Sequence, residues 1–120
     1  MGFSRILTNK MKTVLDTSFI INSLKPGFNS ELLETGLVVD FIYEELLKKS
    51  EEFKIKNIQQ LKLKIMKTEL KPEDNDLGLI DYAKKNGMKI ASDDFGLIKK
   101  AKLKNLKVIY HNKNGVLKEE

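Results

Sequence analysis

Thr13–Val14–Leu15–Asp16–Thr17–Ser18–Phe19–Ile20 reads as a short buried strand that ends on an acid and passes at once into a helix. Thr13 to Leu15 are apolar or β-branched and suit a strand inside a sheet. Thr17 and Ser18 are small hydroxyl residues that can open a helix from Thr17 to about Ser23, with Phe19, Ile20 and Ile21 to bury. A carboxylate at the carboxyl end of a strand is poorly solvated by its neighbours. The role of Asp16 therefore depends on which charges the fold brings to it.

Outward from this stretch the strand-then-helix pattern recurs. Lys25-Pro26-Gly27 breaks the first helix, and a short helix from Ser30 to Glu34, capped by Asn29 or Ser30, ends at Gly36. Leu37 to Val39 is the second strand. In the helix that follows, Phe41 to Lys49, the residues Ile42, Glu45, Leu46 and Lys49 share a face, which puts Glu45 beside the apolar stripe. Ile55, Ile58 and Leu61 have helical spacing, whereas Leu61, Leu63 and Ile65 alternate with lysines, so the reading is helix to about Gln60 and then a short third strand. Pro72 starts the next helix, where Asp76 shares an edge with Leu79, Ile80 and Ala83 and Asn86-Gly87 supplies a left-handed cap. Met88 to Ala91 is the fourth strand and ends in Ser92-Asp93-Asp94. A helix from Phe95 to Lys104 and a strand from Leu106 to Tyr110 complete the series.

Strands alternating with helices predict an α/β fold, an open parallel sheet with right-handed crossovers and helices on both faces. One domain over residues 11–112 is expected, with 1–10 as an N-terminal extension. Residues 113–120 read as a polar C-terminal tail that frays from His111 onward, and His111 reads as a surface residue. In open sheets of this kind the ligand crevice lies outside the carboxyl ends of the strands. Asp16, Glu45, Asp76, Asp93 and Asp94 all point to that end.

Carboxylates drawn into one crevice raise one another's pKa or require a cation. The chain has no cysteine and a single histidine, so an oxygen-ligand site for Mg²⁺ or Mn²⁺ is favoured over zinc or copper. Thiol nucleophiles, zinc ribbons and disulfides are excluded, and a cytoplasmic location is the default. No apolar run is long enough for a membrane span, so no membrane partner is expected. The 22 basic residues exceed the 17 acidic ones by five, and all but Arg5 are lysine. Such a surface attracts polyanion backbones without reading sequence. An acidic divalent-metal site on a basic protein suits phosphodiester hydrolysis by metal-activated water, with Ser18 and Ser92 in supporting roles. Each acid also has a simpler use: Asp16 and Asp94 as helix N-caps, Glu45 as the partner of Lys49 one turn on, Asp76 as a charge favoured by the helix dipole.

In these segments the chain resembles the PIN-domain nucleases from Thr13 to Tyr110. Val14–Ser18 looks like the family's first strand and acid, Ile42-Tyr43-Glu44-Glu45-Leu46 like its V-x-x-E-L helix, Asp76 with Ile80 and Ala83 like its third-acid helix, and Ile90–Asp94 like its T/S-x-D turn. The resemblance implies a three-layer, Rossmann-like sheet in the order 3-2-1-4-5 and cleavage of single-stranded or loop RNA. It carries over Asp16, Glu45, Asp76 and Asp94 as catalytic acids. The T/S-x-D likeness picks Asp94 as the fourth acid, with Asp93 between placed to share the metal, so the metal-ligand candidates are Asp16, Asp76, Asp93 and Asp94. The resemblance also implies, as partners, an antitoxin or a ribosomal RNA precursor, and a homodimer. The other readings are a non-catalytic RNA-binding PIN module, and a receiver domain, whose acid pair comes too late here.

Overall fold

A computed structural model of the chain describes residues 12–52, 58, 61–71 and 75–120. Among these residues six strands, β1 (Thr13–Leu15), β2 (Leu37–Val39), β3 (Lys64–Met66), β4 (Lys89–Ala91), β5 (Val108–His111) and β6 (Leu117–Glu119), form one sheet. Five helices accompany them among the described residues: α1 (Thr17–Ser23), α2 (Leu32–Thr35), α3 (Asp40–Glu52), α4 (Asn75–Lys85) and α5 (Phe95–Leu103). The sheet order is β3-β2-β1-β4-β5-β6. The first five strands run parallel and β6 antiparallel to β5, which makes the sheet mixed and not purely parallel as expected.

The central strands are short apolar runs, as parallel strands covered on both faces are. Val14, Leu15, Val38, Val39, Ile90 and Ala91 are inaccessible to solvent. Phe19, Ile20, Leu46, Leu79, Ile80 and Leu97 cover them from the helices. Gly36 lies so close to β1 that a Cβ there would meet the Leu15 side chain at 2.6 Å. Its φ of −74° is ordinary, so close approach and not a left-handed backbone explains this glycine. Gly87, at φ +64°, does close α4 in the left-handed conformation.

The edge strand β3 is fastened to the start of α3 by Asp40, whose Oδ1 accepts from Thr68 Oγ1 (2.9 Å) and Oδ2 from the Thr68 amide (3.2 Å). Burial pushes the Asp40 pKa up, but these bonds and one from the Phe41 amide outweigh it and leave the carboxyl below its usual value. The expected helix before this strand and the Pro72 helix start fall largely outside the described residues.

The C-terminal end corrects the expectation of a fraying tail. Asn112 Oδ1 accepts from the amides of Asn114 and Val116, Gly115 takes φ +82°, and the chain returns as β6. The Asn29 amide donates to Gly115 O at 2.9 Å, which docks the turn on the loop after α1. Asn114-Gly115 between two apolar stretches is a hairpin signal that the polarity of the segment masks.

Candidate functional site

The pairing of β1 with β4 sets the core of the site. Leu15 is in register with Ala91, so the residues just beyond, Asp16 and Ser92, emerge side by side at the carboxyl edge. The Asp16 amide donates to Ala91 O and the Ser92 amide to Ile109 O, each at 2.9 Å, so the backbone here is held by three strands. Asp16 Oδ2 accepts from Ser18 Oγ at 2.6 Å and Ser92 Oγ at 3.0 Å. Ser92 Oγ in turn accepts from the Asp94 amide at 3.0 Å, and Ser18 Oγ from the Asp93 amide at 3.1 Å. Both serines thus tie the acid of the first strand to the turn after the fourth.

Asp16 occupies the N-cap position of α1, yet its side chain makes no capping hydrogen bond. Burial pushes its pKa above the usual carboxylate value, against the lowering effect of the Ser18 and Ser92 hydroxyls. Desolvation wins because no cation pairs with it among the described residues.

Asp16, Glu45, Asp76 and Asp94 line one cleft of about 210 Å³, together with Thr17, Ser18, Lys49 and Leu79. Ile42 and Leu46 are buried beneath Glu45, which is exposed at the rim and forms no ion pair with Lys49 among the described residues. Asp76 is in the first turn of α4, and Lys100 Nζ on α5 lies 3.7 Å from its Oδ2. Asp94 is the N-cap of α5, its Oδ1 accepting from the Gly96 amide at 2.9 Å. The capping use is therefore realised at Asp94 and not at Asp16.

Asp93 does not join the other acids. Neighbouring residues of an extended turn face opposite ways, and its carboxylate points under the sheet end. Oδ1 accepts from the His111 amide at 2.7 Å, and Oδ2 lies 2.7 Å from His111 Nδ1 and accepts from Asn22 Nδ2 at 3.0 Å. His111 is buried, which corrects its reading as a surface residue. Its ring stacks on Phe19 at 4.4 Å between centroids, meets Phe28 edge-on, and brings Nε2 to 2.8 Å from Asn29 O. Nothing in the local sequence marks this pair, because its members are 18 residues apart and meet only through the β4–β5 register.

Lys100 Nζ already lies 3.7 Å from Asp76 Oδ2 and Lys49 is on the wall, but the carboxylate and hydroxyl oxygens of the cleft, with Asp16 buried and without a counter-charge among the described residues, suit a hard divalent cation. Thr17 adds to this, since it lines the cleft and its Oγ1 is buried with no hydrogen-bond partner among the described residues. As placed, no group of three or more acids or histidines among the described residues is gathered closely enough to hold a metal ion. No helix among the described residues is long and apolar enough to cross a membrane. No protein-family profile matches the chain, and no curated protein matches it.

Proposed function

We propose that the chain is a Mg²⁺- or Mn²⁺-dependent endoribonuclease of PIN-like, three-layer α/β/α architecture, hydrolysing phosphodiester bonds of single-stranded or structured RNA. One observation carries the reading: four carboxylates from separate elements, Asp16, Glu45, Asp76 and Asp94, line a single cleft at the carboxyl edge of the sheet in a chain of net charge +5. The order β3-β2-β1-β4-β5 supports the architecture, with β6 as an addition.

In this reading Asp16, Asp76 and Asp94 would hold the divalent ion once drawn together by it. When bound, the ion supplies an activated water and neutralises charge on the phosphoryl oxygens. Ser18 and Ser92 keep Asp16 Oδ2 in one orientation by donating to it. Glu45, exposed at the rim, offers a carboxylate to accept a proton from water. Lys49 on the cleft wall brings positive charge to a flanking phosphate.

The test is incubation with a labelled single-stranded RNA and Mn²⁺, comparing wild type with Asp16→Asn. Cleavage by wild type and a loss of about 100-fold or more in the variant are expected. Equal cleavage by both would refute the assignment. A second reading, a non-catalytic RNA-binding module, has its own support: the acids are not gathered into a ligating group, and Asp94 Oδ1 is engaged with Gly96. RNA binding without cleavage under every divalent ion tried would establish it.

A further inference from the structure

Beside the acidic cleft lies a second, larger groove of about 600 Å³. Ser18 and Lys49 line both, so the two are neighbours with these side chains at their common boundary. Their chemistries differ sharply. The cleft is walled by carboxylates, whereas the groove is walled by Ile21, Leu24 and Pro26 with Lys25 and Lys49, and no acid among the described residues lines it. Ile21 and Leu24 pack on the core with part of their surface and leave the rest open. Lys25 extends across the Phe28 ring, its Nζ 5.9 Å from the centroid, which restricts where its charge sits.

An occupant must offer an apolar face to the aliphatic floor and negative charge to the two lysines. It must also reach toward a cleft whose buried acid, Asp16, has no cationic partner among the described residues. An unpaired nucleotide has both features, since its base exposes a flat face and its phosphates are anionic. A duplex hides those faces in its stack and offers only its backbone.

We propose that this groove is the subsite for one unpaired nucleotide of RNA flanking the bond addressed at the cleft. The base lies on Ile21, Leu24 and Pro26, and Lys49, shared by the two cavities, holds the phosphate between them. This rests on the nuclease reading for the meaning of the cleft, but the binding claim can be tested separately.

The experiment uses the full chain carrying Asp16→Asn, titrated by fluorescence anisotropy against a short labelled single-stranded RNA, the same RNA annealed to its complement, and a set in which each base in turn is replaced by an abasic site. Single-stranded RNA should bind about tenfold more tightly than duplex, and one abasic position should weaken binding by about the same factor, the size expected for one base contact. Lys25→Glu should weaken binding more than Lys107→Glu, an equal charge change just before β5 at the opposite end of the strands, and should lower the salt slope by about one. Leu24→Ser, checked for folding by its melting curve, should weaken single-strand binding selectively. The abasic series needs no altered groove residue, so it decides even if Leu24→Ser fails to fold. Insensitivity to every abasic position, or wild-type affinity in folded groove variants, would overturn the subsite. Abasic-sensitive, Lys25-dependent binding by a wild type that never cleaves keeps the subsite and ends the nuclease reading. Cleavage that is indifferent to groove substitutions does the reverse.

Discussion

Asp93 gives its carboxylate to His111, with Oδ2 2.7 Å from Nδ1, while its backbone amide donates to Ser18 Oγ at 3.1 Å. One residue thus joins a buried pair beneath the sheet end to the hydroxyl that orients Asp16. The side chains of the pair are 1% and 8% exposed, so removing the imidazole strips the buried Asp93 carboxylate of its ring partner and leaves it only the amide of residue 111 and Asn22 Nδ2. His111→Ala should destabilise the fold by about 3 kcal/mol, measured by urea denaturation. Adding Asp93→Asn should cost less than the sum of the two single changes. Full additivity would show that the two side chains do not act as a pair.

Asp16 and Asp40 should act oppositely on stability as pH changes. The Asp16 pKa is raised in the folded state, so between its ordinary value and the raised one the native chain holds more protons than the unfolded chain, and stability falls as pH rises. The Asp40 pKa is lowered, so its contribution is present above the ordinary carboxylate value and is lost as pH falls toward the lowered one. At pH 7 Asp16→Asn should therefore raise the melting temperature and Asp40→Asn should lower it. Both differences should shrink in acid. A lower melting temperature for Asp16→Asn at pH 7 would mean that the buried charge is already compensated.

Added divalent metal should offset the same desolvated charge on Asp16. Millimolar Mn²⁺ should raise the melting temperature of the wild type by mass action, and the shift should disappear in Asp16→Ala. An equal shift in the variant would place the ion elsewhere.

Gly36→Ala tests the packing beneath the site. The added methyl would meet the Leu15 side chain, one residue before Asp16, and should cost about 1 to 3 kcal/mol in thermal or urea unfolding. A neutral result would show that β1 shifts freely against the α2–β2 junction.

Much of the fold was legible because its signals are local. Three-residue apolar runs, the breaks at Pro26 and Gly27, and the left-handed Gly87 are set by side-chain sterics and backbone preference within a few residues. The apolar stripes of α3 and α4 indicated which helix faces turn inward, and with them the placement of Glu45 and Asp76 near one edge. The hairpin after His111 was hidden by its polarity, because β6 is an edge strand with two exposed residues and carries little apolar pattern.

By itself the sequence determined the alternation of strands and helices, the acids available, and the lysine excess, since composition and periodicity are properties of neighbouring residues. Only the tertiary structure decided how those acids divide. Strand register brought Asp16 and Ser92 together, and the opposite facing of adjacent residues sent Asp94 to the cleft and Asp93 to His111. Asp16, in the stretch that organises the chain, is held without capping its helix because two serines far apart in sequence reach one oxygen, a contact that no local pattern encodes.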